Sequence, residues 1–137
     1  MLEILNAITE GKGEIEDIDL LIELGEAIKI GSLCGLGQSA PNPVLTTIRY
    51  FREEYEAHIL EKKCPAKVCR ALISYRILPD KCKACLICLR NCPAEAIKGG
   101  KKEVHVIDQD KCIRCGVCLS VCPERFSAVE CIQGRVQ

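Results

Sequence analysis

The stretch DKCKACLICLRNCP at residues 80–93 returns thirty residues later as DKCIRCGVCLSVCP at residues 110–123. Eight of the fourteen positions are identical, and they include all four cysteines and the closing proline. Two copies of one unit predict a domain with pseudo-twofold symmetry. Cysteine makes up about 9% of the 137 residues, a level that indicates a covalent or metal-bound scaffold.

Each copy has the spacing C-x2-C-x2-C-x3-C-P, which binds [4Fe–4S] clusters in bacterial ferredoxins. Three closely spaced thiolates on a tight loop can hold three irons of one cubane, and the fourth, turned by the proline, reaches the other cluster. Zinc ribbons use more widely separated C-x2-C pairs, so they do not explain the third cysteine. The predicted ligands are Cys82, Cys85, Cys88 and Cys122 for cluster one, and Cys112, Cys115, Cys118 and Cys92 for cluster two.

The overall composition excludes several classes of protein. With 19 basic and 19 acidic side chains the chain has no net charge, which argues against nucleic-acid or membrane-surface binding. No stretch approaches the ~18 consecutive apolar residues of a membrane span, and the first ten residues lack the pattern of a secretory signal. We therefore expect a cytoplasmic protein whose thiols stay reduced or bind metal. The spacing of the cysteines also argues against a fold held by six disulfides.

Residues 1–62 predict a small helical bundle. A short helix is expected over Leu2–Ile8, and acidic residues at positions 14–19 open a second helix that Gly31 ends. Asn42 and Pro43 are suited to begin a third helix. Its expected buried face consists of Val44, Ile48, Phe51, Tyr55 and Ile59, and its expected surface ion pairs are Arg49–Glu53 and Arg52–Glu56.

The predicted fold class is α+β, with a helical bundle followed by a dicluster ferredoxin domain. The expected organisation is a helical domain over residues 1–62, a linker over 63–77, the ferredoxin domain over 78–130 and a tail over 131–137.

A resemblance covers nearly the whole chain. Its first part, with SLCGLGQSAPNP at residues 32–43 and YFREEYEAH at residues 50–58, resembles the C-terminal helical domain of the flavoprotein subunit of respiratory complex I. It is closer still to the beta subunit of NAD(P)-linked, electron-bifurcating [FeFe]-hydrogenases. Those subunits are similar in continuing with KKCPA, found here at residues 62–66, and then a dicluster ferredoxin domain.

The resemblance also implies what is missing. The family binds FMN and NAD(H) in a domain that this sequence does not contain, and it holds a [4Fe–4S] cluster with three cysteines upstream and one in the Ser-Leu-Cys segment. Cys34 matches that last ligand, so it is expected to be an orphaned ligand of an upstream cluster. On this interpretation the chain is a C-terminal fragment, a split gene product or one portion of a larger subunit.

The remaining cysteines predict a separate zinc site. Cys64 and Cys69 form a C-x4-C pair just before the repeat, Cys131 follows it, and His105 lies between its copies. Together they would form a closed Cys3His zinc site, with Cys64 and Cys69 in the linker and the other two ligands later in the chain. The alternative is three unrelated thiols and an exposed histidine, and His58 is expected to be a helix residue without a ligand role.

The function expected from these features is electron transfer through two [4Fe–4S] clusters in an NAD(P)H-linked oxidoreductase or hydrogenase complex. Its partners would be an FMN- and NAD-binding portion or subunit and other iron–sulfur subunits. The chain itself offers no catalytic site, because Gly35 and Gly37 lack the third glycine and preceding strand of a nucleotide fingerprint. The alternatives are a stand-alone dicluster carrier and a structural or docking module.

Overall fold

A computed structural model describes residues 1–134 and divides the chain into two compact units, Met1–Leu72 and the residues from Ile73 onward. The first unit is helical, and the second combines short strands with one-turn helices. This confirms the predicted α+β class. Of the helices in the described part of the chain, none combines the length and the apolar run needed to cross a bilayer.

The first unit is a bundle of helices around an aliphatic core. The core side chains are Ile8, Ile18, Leu21, Ile48 and Ile59, and all are buried. Acidic residues in the first turn of the second helix complement its dipole, and the Asp17 carboxylate accepts a hydrogen bond of 2.9 Å from the backbone N–H of Glu14. The helices are α1 (Leu2–Thr9), α2 (Glu16–Gly31), α3 (Gly35–Ser39), α4 (Asn42–Leu60) and a 3-10 turn at Arg70–Leu72.

Helix α4 differs from the predicted face at one position. Phe51 has φ −132° and ψ 34°, which interrupts the helix, and its ring is exposed. After this interruption the helix buries His58 and Ile59. Of the two expected surface pairs, Arg52 and Glu56 form the ion pair at 2.9 Å, whereas Arg49 lies over the ring of Tyr50.

The second unit has the symmetry that the repeat predicts. A strand before each cysteine run pairs antiparallel with the strand that follows the other run. In the longer pair, Tyr75 lies opposite Cys131, and in the shorter pair Ile97 lies opposite Ile107. The elements are β1 (Ile73–Ile77), α5 (Ile87–Arg90), β2 (Ile97–Lys98), β3 (Val106–Ile107), α6 (Val117–Ser120) and β4 (Val129–Gln133).

The boundaries differ from the expected ones. The segment predicted as a linker, 63–77, is divided between the two units, because its last five residues form β1 and pair with β4. Residues 131–133 of the predicted tail complete that pairing, and residues 135–137 lie outside the described part of the chain. The ferredoxin unit therefore begins five residues before its predicted start at residue 78.

Candidate iron–sulfur and metal sites

The two cysteine loops share an unusual backbone. Ala84 and Leu86 have φ of +53° and +61° in the first loop, and Arg114 and Gly116 have +54° and +82° at the equivalent positions of the second. Left-handed residues of this kind are rare outside glycine and cluster at functional sites. Alternating backbone signs turn successive N–H groups inward and form a concave site for an anion, as in many iron–sulfur sites.

The second loop encloses a cavity in which cysteines from both copies meet. Cys112, Cys115 and Cys118 of the second run line it, and so does Cys92 of the first run. This is the crossed set that the spacing predicts for cluster two. The rest of the wall is mostly apolar and includes Tyr75, Pro93, Ala94, Ala96, Ile97, Ile107, Ile113, Gly116 and Val117.

The first loop gathers its cysteines around a buried sulfur. Burial raises the pKa of Cys88, and the nearby thiols of Cys85, Cys82 and Cys122 raise it further. Cys122 belongs to the second copy, so the neighbours of Cys88 are the crossed set predicted for cluster one.

The second loop has the same electrostatic character. Burial raises the pKa of Cys118 to about 12, with further contributions from Cys112, Cys115 and Cys88. Buried sulfurs with other thiols close by resist ionisation unless a cation is present, and a coordinated thiol loses its proton outright. The donor set, four cysteines around each loop, therefore fits an iron–sulfur cluster.

Backbone donors also point at these sulfurs. The N–H of Ala96 donates to Cys92 Sγ at 3.4 Å, and the N–H groups of Leu89 and Leu119 lower the pKa values of Cys88 and Cys118 against the effect of burial. Hydrogen bonds to ligating sulfur are one of the means by which proteins set cluster potentials.

Two of the predicted zinc ligands, His105 and Cys131, lie in the ferredoxin unit and have different neighbours there. His105 is 1% exposed, and its Nδ1 lies 3.7 Å from Cys82 Sγ and 3.8 Å from Cys88 Sγ. Cys131 lies in β4 opposite Tyr75, and its thiol contributes, after burial, to raising the pKa of that phenol.

The other two predicted zinc ligands meet a histidine to which the sequence analysis gave no ligand role. His58, Cys64 and Cys69 place their ligand atoms within 4.8 Å of one another, and they are the only His, Cys, Asp or Glu group of this kind found within residues 1–134. Cys64 is fully buried and His58 is 8% exposed. The structure thus groups Cys64 and Cys69 with His58, whereas the ring of His105 faces the first cysteine loop.

The histidine is already oriented for a metal. Its Nδ1 lies 2.6 Å from the carbonyl oxygen of Glu54, so Nδ1–H donates there and the lone pair of Nε2 faces Cys69 Sγ at 3.3 Å. Metal-binding histidines characteristically donate their second ring nitrogen to a carbonyl or carboxylate in this way. The spacing His58-x5-Cys64-x4-Cys69, directly after the end of α4, is the signal that could have identified the group from the sequence.

The two cysteines of this group differ in acidity. Burial opposes ionisation of Cys64, but hydrogen bonds from the backbone N–H groups of Cys69 and Val68 outweigh it and lower the pKa of Cys64 to about 7. Burial and the adjacent Cys64 raise the pKa of Cys69 to about 11. The turn that aims those N–H groups contains Lys67 at φ +56°, the kind of turn that forms an anion-binding concavity.

Cys34 lies on the surface of the helical unit. It immediately precedes α3, its backbone is extended, and its thiol is exposed. Leu33 and Leu36 on either side are almost fully exposed. Its role as the last ligand of an upstream cluster remains a prediction.

Part of each unit matches a known iron–sulfur family. Residues 1–58 match the family of the NADH-ubiquinone oxidoreductase-F iron–sulfur binding region, and residues 74–123 match the 4Fe-4S dicluster domain. These matches agree with the helical bundle and with the pseudo-twofold unit described above.

Individual relatives match different shares of the chain. The chain is 54% identical over 105 residues to the NADP-reducing hydrogenase subunit HndC of Solidesulfovibrio fructosivorans, covering 77% of this chain and 21% of that protein. It is 40% identical over 65 residues to the F-type subunit of the NADH-quinone oxidoreductase of Streptomyces coelicolor (47% of this chain, 14% of the relative). It is 32% identical over 94 residues to the NADPH-Fe(3+) oxidoreductase subunit beta of Geobacter sulfurreducens (69% and 12%).

The chain is therefore an iron–sulfur electron-transfer module, as the cysteine runs predicted. Its F-type region and dicluster domain also confirm the resemblance to complex I and hydrogenase flavoprotein subunits. The chain spans between 12% and 21% of the length of the three relatives described above.

Proposed function

We propose that the chain carries two [4Fe–4S] clusters with crossed ligation and passes single electrons between them. The observation that carries the proposal is the cavity in which Cys92 joins Cys112, Cys115 and Cys118, because a sequence-distant cysteine completes the set of four. The thiols around Cys88, which include Cys122, support the reciprocal set.

The proposed setting is an NAD(P)H-linked oxidoreductase complex. The names of the relatives support it, since they describe an NADP-reducing hydrogenase, an NADH-quinone oxidoreductase and an NADPH-Fe(3+) oxidoreductase. The proposed partners are an FMN- and NAD-binding portion or subunit, which would supply electrons, and further iron–sulfur subunits that would receive them. Twelve cysteines, eight of them at the spacing of cluster ligands, favour a reducing compartment, which we propose is the cytoplasm.

The exposed surface around Cys34 favours a docked module over a stand-alone carrier. Leu33, Leu36 and Ile30 are all more than 80% exposed, and clustered exposed apolar side chains often mark interaction surfaces. Cys34 in their midst would complete a cluster only with ligands supplied from elsewhere.

A structural zinc ion at His58, Cys64 and Cys69 forms a second part of the proposal. The fixed histidine tautomer and the turn donors on Cys64 support it, and nitrogen and sulfur are the ligands that zinc prefers. Three protein ligands leave one tetrahedral position for water or for a group outside this set.

The test is anaerobic purification followed by metal analysis and EPR spectroscopy. We expect about eight irons, about eight acid-labile sulfides and one zinc per chain, with spin-coupled signals from two reduced clusters. Redox-silent iron would contradict electron transfer and favour a structural role. An iron count near twelve would contradict the assignment of Cys34 as an incomplete ligand.

A further inference from the structure

His105 lies against the first cysteine loop, in a position that no ligand role accounts for. Its ring is buried, and Nδ1 faces the sulfurs of Cys82 and Cys88 at 3.7 and 3.8 Å. Its Nε2 is also buried and has no hydrogen-bond partner among the described residues. A proton on Nε2 would have no acceptor. A proton on Nδ1 would face the sulfurs of Cys82 and Cys88, which as ligating thiolates can accept a hydrogen bond but cannot donate one. The neutral ring is therefore expected to carry its proton on Nδ1 and to donate it toward the two sulfurs.

The repeat explains why a ring occupies this position. His105 stands seven residues before Cys112, and Tyr75 stands seven residues before Cys82. The two rings are exchanged between the copies, because Tyr75 lines the cavity of the second loop and His105 contacts the first loop. Each cluster site thus has one ring from the other half of the repeat.

The chemistry of the two rings is not equivalent. The Tyr75 hydroxyl is hydrogen-bonded to the Cys131 thiol rather than to a loop cysteine. His105 instead presents a polar N–H to two loop cysteines. The pseudo-twofold symmetry of the fold is therefore broken at the position that contacts the cluster ligands.

The backbone makes room for the imidazole. Gly99 has φ +141°, and a Cβ built there would lie 2.6 Å from Cδ2 of His105. Such a contact is too short for any side chain, so glycine at this position allows the ring to reach Cys82 and Cys88.

We propose that His105 is a positioning residue that raises the reduction potential of cluster one above that of cluster two. When cluster one accepts one electron it gains negative charge, and an N–H donor to its ligating sulfurs stabilises that charge. An electron arriving at the pair would then reside on cluster one at equilibrium. The inference rests on the proposed function, since it presupposes that both loops hold a cluster.

The experiment is an anaerobic redox titration of the full chain, followed by EPR, on wild type, H105F and H105Q. A Cys85→Ser variant marks which signal belongs to cluster one. H105F removes the donor and keeps a planar ring, and we expect the reduced-to-oxidised ratio of cluster one to fall at least tenfold at fixed potential, which is about 59 mV for one electron. H105Q keeps an N–H and should restore part of the difference. Y75F is the matched control and should leave cluster one unchanged.

The outcomes separate this inference from the proposed function. A wild-type chain without about eight irons would contradict the proposed function itself. A fully loaded H105F variant with an unaltered midpoint for cluster one would overturn the role of His105. Loss of iron from both H105F and H105Q would also overturn it, because His105 would then be needed for assembly. Nitrogen hyperfine coupling in reduced cluster one, present in wild type and absent from H105F, would confirm the contact directly.

Discussion

Cys92 ends the first cysteine run in sequence, yet it lines the cavity of the second. The proline after it and the left-handed residue Glu95, at φ +49°, turn the chain away from its own loop. Ser127, at φ +41°, follows Cys122 and Pro123 in the same way in the other copy. Each fourth cysteine is thereby separated from its sequence neighbours and assigned to the other half of the repeat.

Replacing Cys122 by serine tests that exchange. We expect cluster one, held by residues 82–88, to lose its iron, so that the content falls from about eight to about four. EPR of the reduced protein should then show one isolated cluster without spin coupling. The matched variant Cys92→Ser should remove cluster two instead. If Cys122→Ser affected only the loop at residues 112–118, the crossed ligation would be wrong.

The acidity of the second metal group predicts how its affinity depends on pH. Metal must displace the thiol protons, and Cys69, with its raised pKa of about 11, releases one throughout the working range. Cys64, with its pKa lowered to about 7, releases a second proton only below pH 7. The apparent affinity for Co2+, a spectroscopic substitute for zinc, should therefore fall as pH falls, and it should fall more steeply below pH 7.

The control for this titration is His58→Ala, which removes the nitrogen ligand and keeps both thiols. It should weaken Co2+ binding and alter the visible absorption of the complex. Equal affinity in wild type and variant would show that the histidine is not a ligand. A slope that does not change near pH 7 would contradict the assignment of a thiolate to Cys64.

At the level of single residues, the sequence predicted what depends on spacing. The eight cluster cysteines follow from two runs in which every ligand lies three or four residues from the next. His105 was predicted as a zinc ligand, whereas the structure places its ring beside Cys82 and Cys88, a position that depends on how the two halves of the repeat exchange rings. His58 was expected to be a helix residue without a ligand role, and the structure buries it on α4 beside Ile59. Its nearness to Cys64 and Cys69 depends on how the chain after α4 folds back.

Among the elements, helix α2 has two adjacent leucines with opposite environments. Leu21 is fully buried in the aliphatic core, whereas Leu20 is 43% exposed. Replacing Leu21 by alanine should lower the free energy of unfolding by roughly 2–5 kcal/mol, because it leaves a cavity. Leu20→Ala should change it by about 0.5 kcal/mol or less. Urea unfolding followed by far-ultraviolet circular dichroism measures both, and equal effects would contradict the described core.

The helices could be predicted because their signals are local, whereas the strands could not. Acidic residues before α2, Gly31 at its end and Asn42-Pro43 at the start of α4 mark those helices in the sequence. Strand β1 has five residues, and its partner β4 lies more than fifty residues away. A pairing of that kind is decided by tertiary structure. Helix α3 was missed because two of its five residues are glycine, which disfavours helix.

For the whole molecule, the two units differ in what holds them together. The cluster of packed aliphatic side chains belongs to the helical unit. The ferredoxin unit is built from short strands and four-residue helices around two cysteine loops, and its larger buried aliphatic residues in the described part of the chain are Ile73, Ile97, Ile107 and Val129. Domains this small often depend on metals or covalent links for stability.

Removal of the iron should therefore unfold one unit and leave the other folded. We expect backbone amides from Ile73 to Gln133 to lose their hydrogen-exchange protection once both clusters are removed and the thiols are kept reduced, because the clusters would then no longer link the two halves of the repeat. Amides in α2 and α4 should stay protected, since their core contains no cluster ligand. Mass spectrometry of the exchanged peptides measures both, and Leu21→Ala, which weakens only the helical unit, is the converse control. Retained protection at β1 and β4 in iron-free protein would show that side-chain packing alone holds that unit together.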